Sequence, residues 1–285
     1  MVGAHAATSR CRLGLLLLLA GLGAQQALAC DGEPVATSLQ AGPTSTDSRW
    51  AETGADGRQL LREAGTLTGA ALTLAARCGR WQAELDLAAR HGTRGYAGQS
   101  NGGMPVSTTA RIEAQQLRLT ALRQLDASPS GAAWQAGLRL ELQRTARELA
   151  SVGAVLGYPE THHHASLAAG LRGRGALPAA SSGWQWQSEL WLGAGPAGRI
   201  ELRLPHADAV TLHSGTSRSL EAAVGISHAT AGGWESGLRL SWREQRIAAG
   251  PASALWRGEV LVGAARQPEH RLGDAGLQLW LGRRF

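Results

Sequence analysis

From about residue 58 to the C terminus, apolar and polar side chains alternate with a period of two, the pattern of strands with one apolar and one polar face. In 81–89, Trp81, Ala83, Leu85, Leu87 and Ala89 share one face, opposite Gln82, Glu84 and Asp86. Residues 134–143 repeat this, with Trp134, Ala136, Leu138, Leu140 and Leu142 against Gln135, Arg139, Glu141 and Gln143. Ile200, Leu202 and Leu204 oppose Arg199, Glu201 and Arg203. Trp234, Leu238, Leu240 and Trp242 oppose Glu235, Arg239, Ser241 and Arg243. The final segment sets Leu277, Leu279, Leu281 and Phe285 against Gln278, Trp280 and Arg284. Propensity alone would make 111–125 and 139–150 helical, because Ala, Leu, Arg and Glu favour helix. The repeat is not 3.6, however, and Gly and Trp punctuate it at near-regular intervals, so strands are predicted throughout.

The N-terminal region reads differently. Arg10 and Arg12, the apolar run Leu13–Leu22 and the small-x-small triplet Ala27-Leu28-Ala29 predict a cleaved signal peptide over 1–29. Its apolar run is too short for a spanning helix, which needs roughly 20 residues. Residues 30–57, rich in Pro, Gly, Ser, Thr and Asp, are expected to form an irregular periplasmic lead-in to a barrel domain over 58–285. Export puts Cys30 and Cys78 in an oxidising compartment, where a disulfide between them competes with lipidation of Cys30. No run after residue 30 suits a transmembrane helix, so a membrane-embedded form must be a closed barrel, which satisfies every backbone hydrogen bond in lipid.

The last strand, alternating to a terminal Phe285, resembles the closing strand of Gram-negative outer-membrane β-barrel proteins, whose terminal aromatic residue is part of the assembly signal. The resemblance implies an all-β, antiparallel transmembrane β-barrel in the bacterial outer membrane, in contact with outer-membrane lipid and handled by the barrel-assembly machinery through that strand. Counting back from Phe285 places 266–274, 229–233, 194–198, 149–162 and 97–106 outside. The same count places 248–253, 213–217, 175–183, 126–131 and 78–80 in the periplasm. It gives about eleven clear strands; another over 58–66 makes about twelve, or about ten if a short segment such as 165–173 is not separate, since bacterial barrels have even numbers. Trp81, Trp134, Trp184, Trp186, Trp242 and Trp256 then fall near periplasmic strand ends on the apolar face, as a membrane girdle would.

Alternation turns Glu84, Asp86, Arg111, Glu113, Arg139, Glu141, Glu201, Arg203, Arg239 and Glu259 into the lumen, because an Arg facing mid-bilayer lipid costs about 2–4 kcal/mol. Such charges either pair and fill a narrow lumen or line a polar pore. The first reading is a channel or transport component for small polar solutes. The second is a non-enzymatic structural or surface-display barrel presenting 97–106 and 149–162. The third is an outer-membrane lipid hydrolase: His164-Ala165-Ser166 resembles the His-x-Ser pair of the outer-membrane phospholipase and the lipid A deacylase, in which His acts as base for Ser. Those families follow Ser with Asn, where this chain has Leu167, and alternation aims His164 and Ser166 at the lumen rather than at lipid.

His162-His163-His164 reads as a solvated loop tip, since adjacent strand residues face opposite ways and do not converge on one ion. Gly98–Gly103 lacks the lysine and the strand-to-helix context of a phosphate loop. No cofactor or metal site is expected. The net charge of +6 comes from scattered Arg with no Lys, and nucleic acid is not an expected partner of an exported chain.

Overall fold

A computed structural model describes residues 29–30, 33–99, 103–125, 132–177 and 183–285. Its strands are β1 (Ala29–Cys30), β2 (Glu33–Pro34), β3 (Ala36–Thr53), β4 (Gln59–Cys78), β5 (Trp81–Gln99), β6 (Pro105–Gln124), β7 (Ala133–Leu149) and β8 (Pro159–Ala176). They continue as β9 (Trp184–Gly195), β10 (Arg199–Leu202), β11 (Val210–His213), β12 (Ser217–Ala229), β13 (Trp234–Ile247), β14 (Ala252–Arg257), β15 (Val260–Arg266) and β16 (Glu269–Arg284). The signal peptide expected over 1–29 lies outside the described residues, apart from Ala29.

The sheet closes on itself. In ring order it runs β3-β4-β5-β6-β7-β8-β9-β12-β13-β16, with every neighbouring pair antiparallel and β16 returning to β3. Ten strands make the ring, not twelve. Three expectations change accordingly. First, residues 36–53 are the barrel strand β3 rather than part of an irregular lead-in. The Pro- and Gly-rich composition hides a period-two pattern of small residues: Thr44, Thr46 and Ser48 face in, while Leu39, Ala41 and Pro43 face out. Second, 199–213 and 252–266 are not spanning strands. β10 and β11 pair with each other, with β10 resting on the outer end of β8 at Glu160–His163, and β14–β15 is a hairpin paired only to itself. A four-residue strand reaches about 13 Å, too little to cross a ~25 Å apolar band. Third, 58–66 is not a strand of its own but the start of β4; the alternative count of about ten matches the ring, although 165–173 does lie in a barrel strand, β8.

These two hairpins reverse the sidedness of the connections between them. With β16 descending to the periplasm, 214–216 and 248–251 lie outside and 230–233 is a periplasmic turn. The tight connections at the periplasmic end include Gly79-Arg80 between β4 and β5, where Gly79 takes φ 55°, a left-handed conformation that costs glycine nothing.

The outward faces mark the membrane. Trp134, Leu138, Leu140 and Leu142 on β7, Leu190 and Leu192 on β9, Val224 and Ile226 on β12, and Leu277, Leu279 and Leu281 on β16 are exposed apolar residues. About nine residues at ~3.3 Å each, tilted by a typical ~40°, cover about 23 Å. Above that belt the outward positions turn charged: Asp47 and Arg49, Arg111 and Glu113, Glu244 and Arg246, Glu269 and Arg271. The barrel therefore projects beyond the lipid at its outer end. Register is firmly set, because a slip of one residue would exchange this belt for the charged lumen.

Candidate functional site

The lumen is filled in layers. The outermost lies above the apolar belt, in the projecting part of the barrel. Trp50 stacks on His270 with ring centroids 4.4 Å apart and meets His162 edge-on at 5.2 Å. The Trp50 indole N–H donates to Glu52 Oε1 at 3.1 Å, and the Gln267 amide reaches the same oxygen at 3.4 Å. Leu61, Tyr96, Ile247 and Leu272 pack around this group. Just below, Arg147 bridges Glu63 and Glu160, the latter at 2.7 Å, and His162 Nε2 lies 3.0 Å from Glu160. Arg94 stands 3.6 Å from Glu63 and donates to Ser48 Oγ at 2.7 Å. All of these side chains are buried except Glu160, which is half-buried at the rim; Glu63 has no exposed surface at all.

Burial sets the titration of this layer. It lifts Glu52 from an ordinary 4.5 to about 7, a rise that Arg147 opposes and Glu160 and Glu63 reinforce. Burial would also raise Glu160, but the Arg147 charge and the His162 hydrogen bond outweigh it and hold that carboxylate at about 2. Burial and the neighbouring His162 depress His270 to about 3, so its ring is neutral at physiological pH.

The second layer is an ion-pair belt at membrane height. Glu189 on β9 accepts from Arg139 at 3.2 Å and Arg239 at 3.1 Å, with Arg172 at 3.3 Å, and takes the Trp191 indole N–H at 2.9 Å. Glu221 on β12 takes Arg118 at 2.7 Å and Arg139 at 3.1 Å. Glu141 takes Arg118 at 2.9 Å together with Arg243, and Arg172 also reaches Glu84. These pairs join opposite walls, as a ten-stranded lumen permits. The Arg139 guanidinium lies 3.9 Å from the centroid of the Trp191 ring. Trp191 in turn lies across Gly170 of β8, where an added Cβ would fall 2.4 Å from the indole. Each charge here is costly to bury alone and tolerable only when paired.

Below the belt the lumen opens into a cavity of about 530 Å³ at the periplasmic end, with Ser38, Gln40, Arg77, Arg174, Gln187, Ser227 and Trp280 in its wall. A smaller space of about 110 Å³ sits within the belt beside Arg90, Asp274 and Gln116.

The expected lumen residues divide. Glu84, Asp86, Arg139, Glu141 and Arg239 face inward and take part in or line this network. Arg111 and Glu113 do not: on β6 their neighbours Ala110 and Ile112 are buried inside, so both point outward above the belt. Glu201 and Arg203 belong to the outer β10 extension, where Glu201 pairs with Arg199 at the surface, and Glu259 sits at the tip of the β14–β15 hairpin. β10 and the β14–β15 hairpin do not span, and on β6 these charges lie above the apolar belt, where the outward face is the polar one.

Of the tryptophans, Trp81, Trp134, Trp184 and Trp186 lie at periplasmic strand ends; Trp242 sits higher on β13 and Trp256 lies on the external hairpin. Phe285 caps β16, its N–H donating to Thr37 of β3 at 2.9 Å. The Cys30 side chain lies outside the described residues, and Cys78 ends β4 at the periplasmic side. The histidine triplet is no loop tip. It lies within β8, with His162 and His164 inside and His163 outside. Ser166 is also inside, and His164 Nδ1 is buried without a hydrogen-bond partner. Among the described residues no group of three or more His, Cys, Asp or Glu could hold a metal ion.

Residues not singled out from the sequence carry most of the contacts: Trp50, Glu63, Arg94, Arg118, Arg147, Arg172, Glu189, Trp191, Glu221 and His270. The signal was available. Each occupies the inward parity of its own strand, and extending that parity along β3 to β9, β12 and β16 picks them out.

No family model matches the chain, and no curated protein does. Its fold resembles solved structures. The outer membrane protease OmpT from Escherichia coli superposes with a TM-score of 0.56 at 11% identity, covering 92% of this chain and 100% of that one. The translocator domain of the autotransporter NalP from Neisseria meningitidis gives 0.41 at 12% identity, over 95% of this chain and 96% of that one. OprG from Pseudomonas aeruginosa gives 0.37 at 10% identity, over 88% and 95%. Such likeness speaks to architecture, not to chemistry. The closed ring, the outward apolar belt and the likeness to OmpT give the chain the architecture of an outer-membrane β-barrel.

Proposed function

We propose that the protein is a non-conducting outer-membrane barrel, a side-chain-filled scaffold whose outward business is done by the surface extension built from β10–β11, β14–β15 and the 150–158 connection. One observation carries this reading: two side-chain layers in series, Trp50–His270 with its ion pairs above and the Glu189-centred belt below, cross the lumen between its two mouths. Purified, folded protein inserted in planar bilayers is expected to give no steady conductance. A reproducible open-channel current from the unmodified chain would overturn it.

The narrow-channel reading has one observation in its favour, the hollow periplasmic half, and requires both layers to move. A lipid hydrolase is disfavoured, because His164 and Ser166 face the lumen and not the bilayer. The periplasmic end belongs to the same proposal: a Cys30–Cys78 bridge ties the mature N terminus to the β4–β5 turn, and the β16 strand engages the assembly machinery. A mobility change on reduction, absent in Cys78→Ser, checks the bridge.

A further inference from the structure

The periplasmic cavity holds more positive charge than its own carboxylates neutralise. Arg172 is taken up by Glu84 and Glu189, and Arg284 by Glu235 at 2.7 Å. Among the described residues Arg77 meets amide oxygens only, Gln124 Oε1 at 2.7 Å and the Gly79 carbonyl at 3.4 Å. Arg174 has no ion pair and no hydrogen-bond partner among the described residues, although it lines the cavity wall and is partly buried. Arg77 stands on β4 and Arg174 on β8, four strands apart in a ring of ten, so the two guanidiniums approach the cavity from well-separated walls. A guanidinium fork on either side, neither of them paired with a carboxylate among the described residues, is matched to a planar oxyanion.

The rest of the wall defines what the anion is attached to. Gln185, Gln187 and Gln278 bring amides, which donate to and accept from hydroxyl groups. Trp280 points inward from β16 and lies over Gly237, where an added Cβ would fall 2.5 Å from the indole. It supplies a flat apolar surface among the polar side chains of the wall. A volume of about 530 Å³, at the periplasmic end of the lumen, falls within the ~300–1,000 Å³ range of small-molecule sites.

We propose that this cup binds a hydroxylated carboxylate of the sugar-acid class, with Arg77 and Arg174 holding the carboxylate, the glutamine amides the hydroxyls, and the Trp280 face the ring. Occupancy from the periplasm does not require an open lumen, so this assignment stands apart from the question of conductance.

The test is calorimetric titration of the full mature chain in detergent at low salt with glucuronate, glucose and inorganic phosphate. Glucuronate should saturate one site, and glucose, its uncharged counterpart, should bind at least about tenfold more weakly, since it lacks the charge-assisted hydrogen bonds. Arg77→Gln and Arg174→Gln should each weaken glucuronate about tenfold, with Arg174→Lys recovering part of the loss. Arg218→Gln, on the outward face of β12, should leave binding unchanged. Heat-modifiable gel mobility verifies that each variant is folded. The proposal is overturned if glucuronate shows no saturable heat, if glucose or phosphate binds as tightly, or if the folded double variant Arg77→Gln/Arg174→Gln binds like the parent.

Discussion

Glu52 and His270 share the outer layer but respond to pH in opposite directions. For Glu52 the folded-state pKa of about 7 stands above the ordinary 4.5, so the folded form holds its proton more tightly than the unfolded chain. Its contribution to stability is complete below about pH 4.5 and is lost as pH rises through 7, a swing of up to roughly 3 kcal/mol. His270, held at about 3 against 6.5, acts the other way: stability is complete above about pH 6.5 and falls as the pH drops towards 3. Glu160, at about 2, loses its contribution only between about pH 4.5 and 2. Glu52→Gln keeps the acceptor for Trp50 and Gln267 and removes the titration. Urea unfolding of this variant should show stability raised relative to the parent at pH 8 and little changed at pH 4.5; an equal effect at both would mean Glu52 titrates normally. Arg147→Ala should be the harshest single change in this layer, about 3–5 kcal/mol, since buried Glu63 would keep only Arg94 at 3.6 Å and Glu160 only the His162 ring. A loss below 1 kcal/mol in the same assay would show that solvent reaches these carboxylates.

The strands themselves were legible wherever the outward face carried Leu or Trp, because the lipid belt demands apolar residues at every second position. Legibility failed at both extremes of the pattern. In β3 the outward face includes Pro43 and Ser45 and the inward face Thr and Ser, so the contrast between faces is weak and composition masked the period. In β10 and β14–β15 short alternation is present but serves hairpins that never enter lipid, and nothing local distinguishes them from a spanning strand except length. The resulting error in sidedness can be checked directly. Trp256→Cys, on the external hairpin, should react with a bulky impermeant maleimide on intact cells, and Gly232→Cys, in the 230–233 turn, should not. The twelve-strand count predicts the reverse, so the pair of results discriminates cleanly. Replacing 252–266 by a short Gly-Ser linker should likewise leave the barrel folded, since β14 and β15 pair only with one another.

Across the whole molecule, the period of two announces that charges face inward but says nothing of which strand lies opposite which. Pairings such as Arg139 with Glu189 and Glu221, or Arg147 with Glu63, depend on ring order and stagger, and these emerge only when the barrel is closed. That is why a filled lumen and a pore remained alternatives in the sequence. The structure makes them separable, since two barriers in series conduct no better than the tighter one. Replacing Arg139, Arg239, Glu189 and Glu221 by Ala removes two charges of each sign and leaves Arg118 and Arg243 on Glu141 and Arg172 on Glu84, so no remaining belt arginine loses its last partner. That variant should still be silent in planar bilayers, because Trp50, His162 and His270 close the outer end. Trp50→Ala/His270→Ala alone should also be silent, held shut by the intact belt. Only the combination is expected to pass current, with folding verified by heat-modifiable mobility. If either set alone conducts, the other layer is not a barrier, and the barrel is gated at a single constriction rather than sealed twice.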